Sequence, residues 1–156
     1  MRLTLIAVGK VSEPFIQDAC AVYTARILRY AGFHLVVIPQ EKISSEGKID
    51  FILRQEGMRI RKKLEPEAFT VALDERGKLL SSAAFARLLA KGLNSGRKET
   101  TFILGGPYGL DESLKEQADF RLSFSPMTLA HGMARMLLLE QIYRAFTLIR
   151  GEPYHK

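Results

Sequence analysis

Thr100-Thr101-Phe102-Ile103-Leu104 runs without a break into Gly105-Gly106-Pro107-Tyr108-Gly109, and a short helical segment, residues 111–118, follows. A β-prone run closed by glycines reads as a strand whose exit turn needs residues with little or no side chain. The same order recurs on either side. Residues 3–8, 33–38, 68–73 and 120–124 read as four further strands. Ser12-Glu13-Pro14 opens a helix, with Ser12 suited to cap it and Pro14 to its first turn. Phe15, Ala19, Val22, Ile27 and Leu28 form that helix's rough apolar face. Residues 49–64 make an amphipathic helix through Ile49, Ile52, Leu53, Ile60 and Leu64. Ser81 or Ser82 caps a helix reaching Leu93, and a long helix spans about residues 129–149. Asp74-Glu75-Arg76-Gly77 reads as the turn after the third strand, and residues 40–47 as a polar, mobile connection. Strands alternating with helices predict an α/β domain: a mostly parallel, about five-stranded sheet covered on both faces.

Composition bounds the chain further. Its 156 residues suit one domain over 1–156, with no repeat, low-complexity stretch or linker to divide it. With 47% hydrophobic and 26% charged residues it is neither disordered nor fibrous. Cys20 is the only cysteine, which excludes an intrachain disulfide and a cysteine-rich zinc site. The longest run free of Asp, Glu, Lys and Arg is 13 residues, 122–134, short of the ~18 a membrane span needs. The first ten residues lack a signal-peptide pattern, so a cytoplasmic protein is expected. The net charge of +6 divides evenly, +3 over residues 1–78 and +3 over 79–156. Such a charge favours acidic partners such as RNA only modestly. The Arg59-Arg61-Lys62-Lys63 cluster reads as a solvated helix end.

In open α/β sheets ligands bind beyond the carboxyl ends of the strands. Three such ends carry informative residues: Leu73-Asp74, Gly105–Gly109 and the segment from Phe124 to Leu129. The glycine segment lacks the Gly-Lys-Ser/Thr of a phosphate loop and the dinucleotide spacing, so tight turn and ligand loop both stay open. Phe124-Ser125-Pro126-Met127-Thr128-Leu129 either wraps a small heterocycle or caps the next helix through Ser125 or Thr128. On the long helix, His131 and Arg135 share a face, as do Glu140 and Arg144, for which a simple ion pair is the plain alternative. Met136–Leu139 is apolar on every side, so that helix is either fully buried or meets a second subunit. The end, Arg150-Gly151-Glu152-Pro153-Tyr154-His155-Lys156, is either frayed or an RNA contact, with Tyr154 to stack on a base and Arg150 and Lys156 to meet phosphates.

Three motifs in order carry a family resemblance: the segment Leu104-Gly105-Gly106-Pro107-Tyr108-Gly109-Leu110, the helix segment Glu140-Gln141-Ile142-Tyr143-Arg144-Ala145-Phe146, and Pro153-Tyr154-His155. With Leu73-Asp74 at the right separation, the chain resembles the SPOUT-class methyltransferases that modify N3 of a pseudouridine in 23S ribosomal RNA. The likeness runs from the first strand to the last residue. It implies a C-terminal trefoil knot, which no composition or period would suggest. It also implies a homodimer, S-adenosylmethionine as cofactor, no metal, and 23S rRNA within the large subunit or assembled ribosome as partner. Carried over by position, the cofactor residues are Leu73, Gly105, Phe124, Ser125, Pro126, Met127, Thr128 and Leu129. The implied catalytic residues are Arg144, His155, Tyr154 and Glu140, and the RNA-side residues are His131, Arg135 and Lys156. Two rivals stand beside this: a non-catalytic ribosome-binding or RNA-binding module, and an enzyme binding a phosphorylated or acidic metabolite at the same strand ends.

Overall fold

In the computed structural model, which describes residues 2–42 and 47–154, alternate residues of β1 (Arg2–Val8) face two separate cores. Leu3, Leu5 and Ala7 join one, Ile6 and Val8 the other. A strand apolar on both faces must be covered on both. On the first face lie α1 (Pro14–Ile27), α3 (Ser82–Leu93) and α5 (His131–Arg150). On the second lie α2 (Ile49–Arg61) and α4 (Glu112–Gln117), which contribute Ile60 and Leu114. With β2 (Gly32–Ile38), β3 (Phe69–Leu79), β4 (Thr100–Leu104) and β5 (Phe120–Ser123), the sheet runs β2-β1-β4-β3-β5. Every neighbouring pair is parallel, as expected. Central β4 is buried along its whole length. Burying Phe102 alone contributes about 1.5–3 kcal/mol.

Helix starts match the sequence in part. Ser81 caps α3 by accepting the Ala84 N–H at 3.1 Å. At α1 the cap position is Glu13, not Ser12, and no side chain makes a capping bond there. The apolar face expected of α1 is also rotated. Ile16 and Ile27 are buried, with Cys20 and Tyr23 packed on the same core. Phe15 is 66% and Val22 48% exposed. Apolar residues occur on both sides of this helix, and the sequence period does not say which side meets the sheet.

The largest departure is at β3. The expected turn Asp74–Gly77 does not end the strand. Leu73 and Lys78 both pair with Leu122 of β5, so the four residues between them bulge out and the pairing restarts. Gly77 allows this close return, because a Cβ there would lie 2.8 Å from the backbone of Arg121 and Leu122. Ser125 and Thr128 do not cap α5, whose cap position is Ala130. Of the apolar run on α5, Leu138 and Leu139 are buried and Met136 and Leu137 half-buried. α5 ends at Gly151, whose φ of 65° turns the chain back, with Glu152 N–H donating to Thr147 O at 2.9 Å. The Tyr30 hydroxyl then holds Glu152, so the tail is pinned at least to Tyr154.

Gly77→Ala should cost about 1–3 kcal/mol, because the methyl meets backbone and not a movable side chain. Urea unfolding measures this, and an unchanged midpoint would show that the bulge yields freely.

Candidate active site

β4, β3 and β5 are neighbours, so the segments leaving β4 and β5, 105–109 and 124–130, meet the 74–77 bulge of β3 at one place. They enclose a cavity of about 940 Å³, within the range that holds a cofactor-sized ligand. Leu73, Gly105, Phe124, Ser125, Met127, Thr128 and Leu129 all line it; Pro126 does not. His131 lines it from the first turn of α5. The glycine segment closes on itself: Gly109 N–H donates to Gly106 O at 3.0 Å, and Gly106 bridges Gly109. A Cβ on Gly105 would sit 2.2 Å from Gly109 O, so the segment is a tight turn and a cavity wall at once.

The cavity wall is dense in charge of both signs. Asp50, Asp74, Glu75, Asp111 and Glu112 line it against Arg54, Arg76 and Lys115. Arg61 and Arg121, just behind the lining, pair with Asp111 and with Asp74 and Glu112, so most of these carboxylates are matched. Asp74 anchors the wall. Its carboxylate accepts Arg121 Nη2 at 2.9 Å and the Arg76 N–H at 3.1 Å, with Lys115 Nζ at 3.7 Å. Burial alone would raise its pKa, but these three partners outweigh burial and hold the carboxyl below its usual value. The 124–130 segment is tied to the bulge by Thr128 Oγ1 donating to Glu75 at 3.0 Å, and Ser125 Oγ accepts the Met127 N–H.

The other anticipated residues lie elsewhere. Arg135 is 3% exposed, and its Nη2 donates to Gly9 O at 2.6 Å. The family resemblance puts it on the RNA side; in this chain it is an interior residue bracing the exit of β1. Its Nε is buried with no partner among the described residues. Glu140, Arg144 and Tyr154 do assemble, but outside the cavity. Glu140 Oε1 accepts Arg144 Nη2 at 2.8 Å and the Tyr154 hydroxyl at 2.6 Å, while Oε2 accepts Gln141 Nε2. The guanidinium of Arg144 lies 3.7 Å from the Tyr154 ring centre. The i,i+4 ion pair is thus present, but as part of a three-residue unit. Nine residues of helix, about 13 Å, separate Glu140 from His131. His155 and Lys156 lie outside the described residues. Among the described residues no group of three or more His, Cys, Asp or Glu is placed to hold a metal ion.

Sequence reasoning did not find the wall supplied by α2. Asp50, Leu53 and Arg54 line the cavity from a helix read only as amphipathic. No local signal marks them, since a helical period names a buried face but not the loop beside its other face. Asp74 had a signal, its place at a strand end, but its role needed the distant Lys115 and Arg121.

A family model described as "Predicted SPOUT methyltransferase" matches residues 1–155. A "Ribosomal RNA large subunit methyltransferase H" of Syntrophotalea carbinolica is 43% identical over 155 residues, 99% of each chain. One of the same name from Carboxydothermus hydrogenoformans is 42% identical over the full length of both. Among solved structures, a tRNA (m1G37) methyltransferase from Aquifex aeolicus matches with a TM-score of 0.56 at 14% identity, over 100% of this chain and 75% of that one. A "probable methylase family protein" from Haemophilus influenzae matches with a TM-score of 0.59, also at 14% identity, over 99% and 70%. At that identity the two structures speak to the fold alone.

Burial and then the Glu140 bond push the Tyr154 phenol above its usual pKa. Above pH ~10 the unfolded chain therefore ionises first, and stability falls as pH rises. Tyr154→Phe should flatten that fall and cost about 1 kcal/mol at neutral pH, read from urea titrations at both pH values. An unaltered slope would assign the alkaline loss to Tyr30, whose phenol is also raised, first by its bond to Glu152.

Proposed function

The chain belongs to the SPOUT methyltransferase family, and from that premise we propose that it methylates N3 of a pseudouridine in large-subunit (23S) ribosomal RNA. In this proposal it uses S-adenosylmethionine, works as a homodimer in the cytoplasm, and acts on the assembled ribosome. The observation that carries the proposal is the convergence of Leu73, Gly105 and the 124–129 segment on one cavity. The cofactor, when bound, supplies a methyl group already activated on a sulfonium. Asp50 and Glu75, which pair with no cation among the described residues, suit its positive charge, and Leu73, Leu122 and Leu129 suit a flat heterocycle. Gly105, with no room for a Cβ, leaves backbone at the cavity wall for its edge. Threading of α5 through the loops around this cavity would form the knot of the family.

The chain's own work is alignment and charge control. N3 of pseudouridine must lose a proton before it is nucleophilic. Arg144 is assigned to stabilise the anion and its flanking carbonyl oxygens. Glu140 holds Arg144 Nε and Nη2 at 3.0 and 2.8 Å and so aims it. Tyr154 positions the base, and His155 or a water accepts the proton. The distance from this unit to the cavity of its own chain supports a site completed by the tail of a second subunit. Exposed Phe15 and Val22 on α1 offer apolar surface for that subunit.

Labelled-methyl transfer to free 23S RNA, isolated large subunits and assembled ribosomes from cells lacking the enzyme tests the function. Methyl on ribosomes at N3 of a pseudouridine is expected. Failure to bind S-adenosylhomocysteine in calorimetry would instead favour a non-catalytic RNA-binding module. Arg144→Ala should lower turnover about 10²–10³-fold with cofactor affinity kept; near-normal turnover removes Arg144 from the mechanism. Mixing a chain truncated before Pro153 with a Gly105→Ala chain should restore activity in the heterodimer, and no recovery would exclude a shared site.

A further inference from the structure

Beside the cavity, between the 74–77 bulge and β5, runs an open crevice of about 670 Å³. Arg76, Lys78, Lys115 and Arg121 line it against Glu116 and Asp119. Half of these six charges are already matched. Lys115 and Arg121 meet Asp74 and Glu112, and Asp119 meets Arg97. Arg76 and Lys78 are exposed and make no ion pair among the described residues. Arg76 also lines the cavity, so the two spaces share a wall.

These two cations stand on backbone that is tied down at four points. Asp74 accepts the Arg76 N–H at 3.1 Å, and Ser123 Oγ donates to Glu75 O at 3.0 Å. Thr128 holds the Glu75 carboxylate, and Gly77 lies flush against β5. Four residues have left the β3–β5 pairing to make this bulge; Arg76 stands in it at the cavity's edge, and Lys78 follows where the pairing resumes, with Glu116 across the crevice. A fixed backbone lowers the ordering cost of binding an anion there. The crevice is open and runs beside the cavity, so a polyanion lying along it can offer one base inward.

We propose that the crevice between the 74–77 bulge and β5 is the track for the phosphate backbone of the RNA substrate, with Arg76 and Lys78 as its contacts. This rests on the ribosomal RNA methyltransferase reading above. It places RNA contact on β3, away from the interior Arg135.

The test compares Arg76→Ala/Lys78→Ala with a charge-matched control, Lys62→Ala/Lys63→Ala, which removes two exposed cations at the far end of α2. Methylation of ribosomes is followed from low to moderate salt, with S-adenosylhomocysteine affinity measured by calorimetry. For the bulge variant the KM for ribosomes should rise roughly tenfold, and the slope of log KM against log salt should fall by about 2, one unit per lost phosphate contact. Because Arg76 also lines the cavity, cofactor affinity is read on Lys78→Ala alone, where it should stay within about twofold of the parent while the KM for ribosomes rises. The control should change neither quantity. An unaltered KM and salt slope in the bulge variant, or an equal loss in the control, overturns the track. A parent protein inactive on every ribosomal substrate overturns the function, and the track with it.

Discussion

Asp74 sits where β3 leaves its first register with β5, its side chain only 5% exposed. A buried carboxylate without partners costs several kcal/mol. This one reaches Arg121 on β5, Lys115 on α4 and the N–H of Arg76 in its own bulge. One interaction therefore fixes four pieces: the edge strand, a short helix, the bulge and the cavity wall they share. The carboxyl's lowered pKa has a direction. Its contribution is present above the ordinary aspartate range and is lost as pH falls through the lowered value. Acid should then loosen the cavity side before the buried strands β1 and β4.

The rest of the site follows from adjacency in the sheet. β4, β3 and β5 are side by side although they are not consecutive in the chain. Their exits meet only because the sheet orders them so, and α5 leaves from the last of these exits. One helix thus carries two sites. His131 in its first turn belongs to the cavity. Glu140 and Arg144, about two and a half and three and a half turns on, belong to a separate unit with the returning tail. The left-handed Gly151 makes that return possible, and Tyr30 and Glu140 hold it. Tyr143, 5.4 Å from the Tyr154 ring and 6.2 Å from that of Tyr23, extends the tail's anchorage to α1.

Much of the architecture was legible in residue order. The five strands, the cap at Ser81 and the end of β4 at Gly105 each rest on local properties: β-propensity, a hydroxyl before a helix, a glycine at a turn. On α1 Ile27 is buried as the pattern predicts, but Phe15, Val22 and Leu28 look as apolar as Ile16, and only the sheet distinguishes them. The β3 bulge was read as a turn because Asp-Glu-Arg-Gly has turn chemistry. Whether such a segment ends a strand or interrupts it depends on what β5 pairs with afterwards.

By itself the sequence determined the α/β class, two of the strand exits that line the cavity, and, through three motifs, the family. These depend on short-range periodicity and on residue types that tolerate few substitutes. Tertiary structure alone decided the charge pairing of the cavity wall, the interior place of Arg135, and the separation of the Arg144 unit from the cavity. It also decided that Arg76 and Lys78 make no ion pair among the described residues. Charge in a sequence is a sum over residues; in a fold it is set by which distant partners come within a few ångströms, and Lys115 and Arg121 found theirs where Arg76 and Lys78 did not.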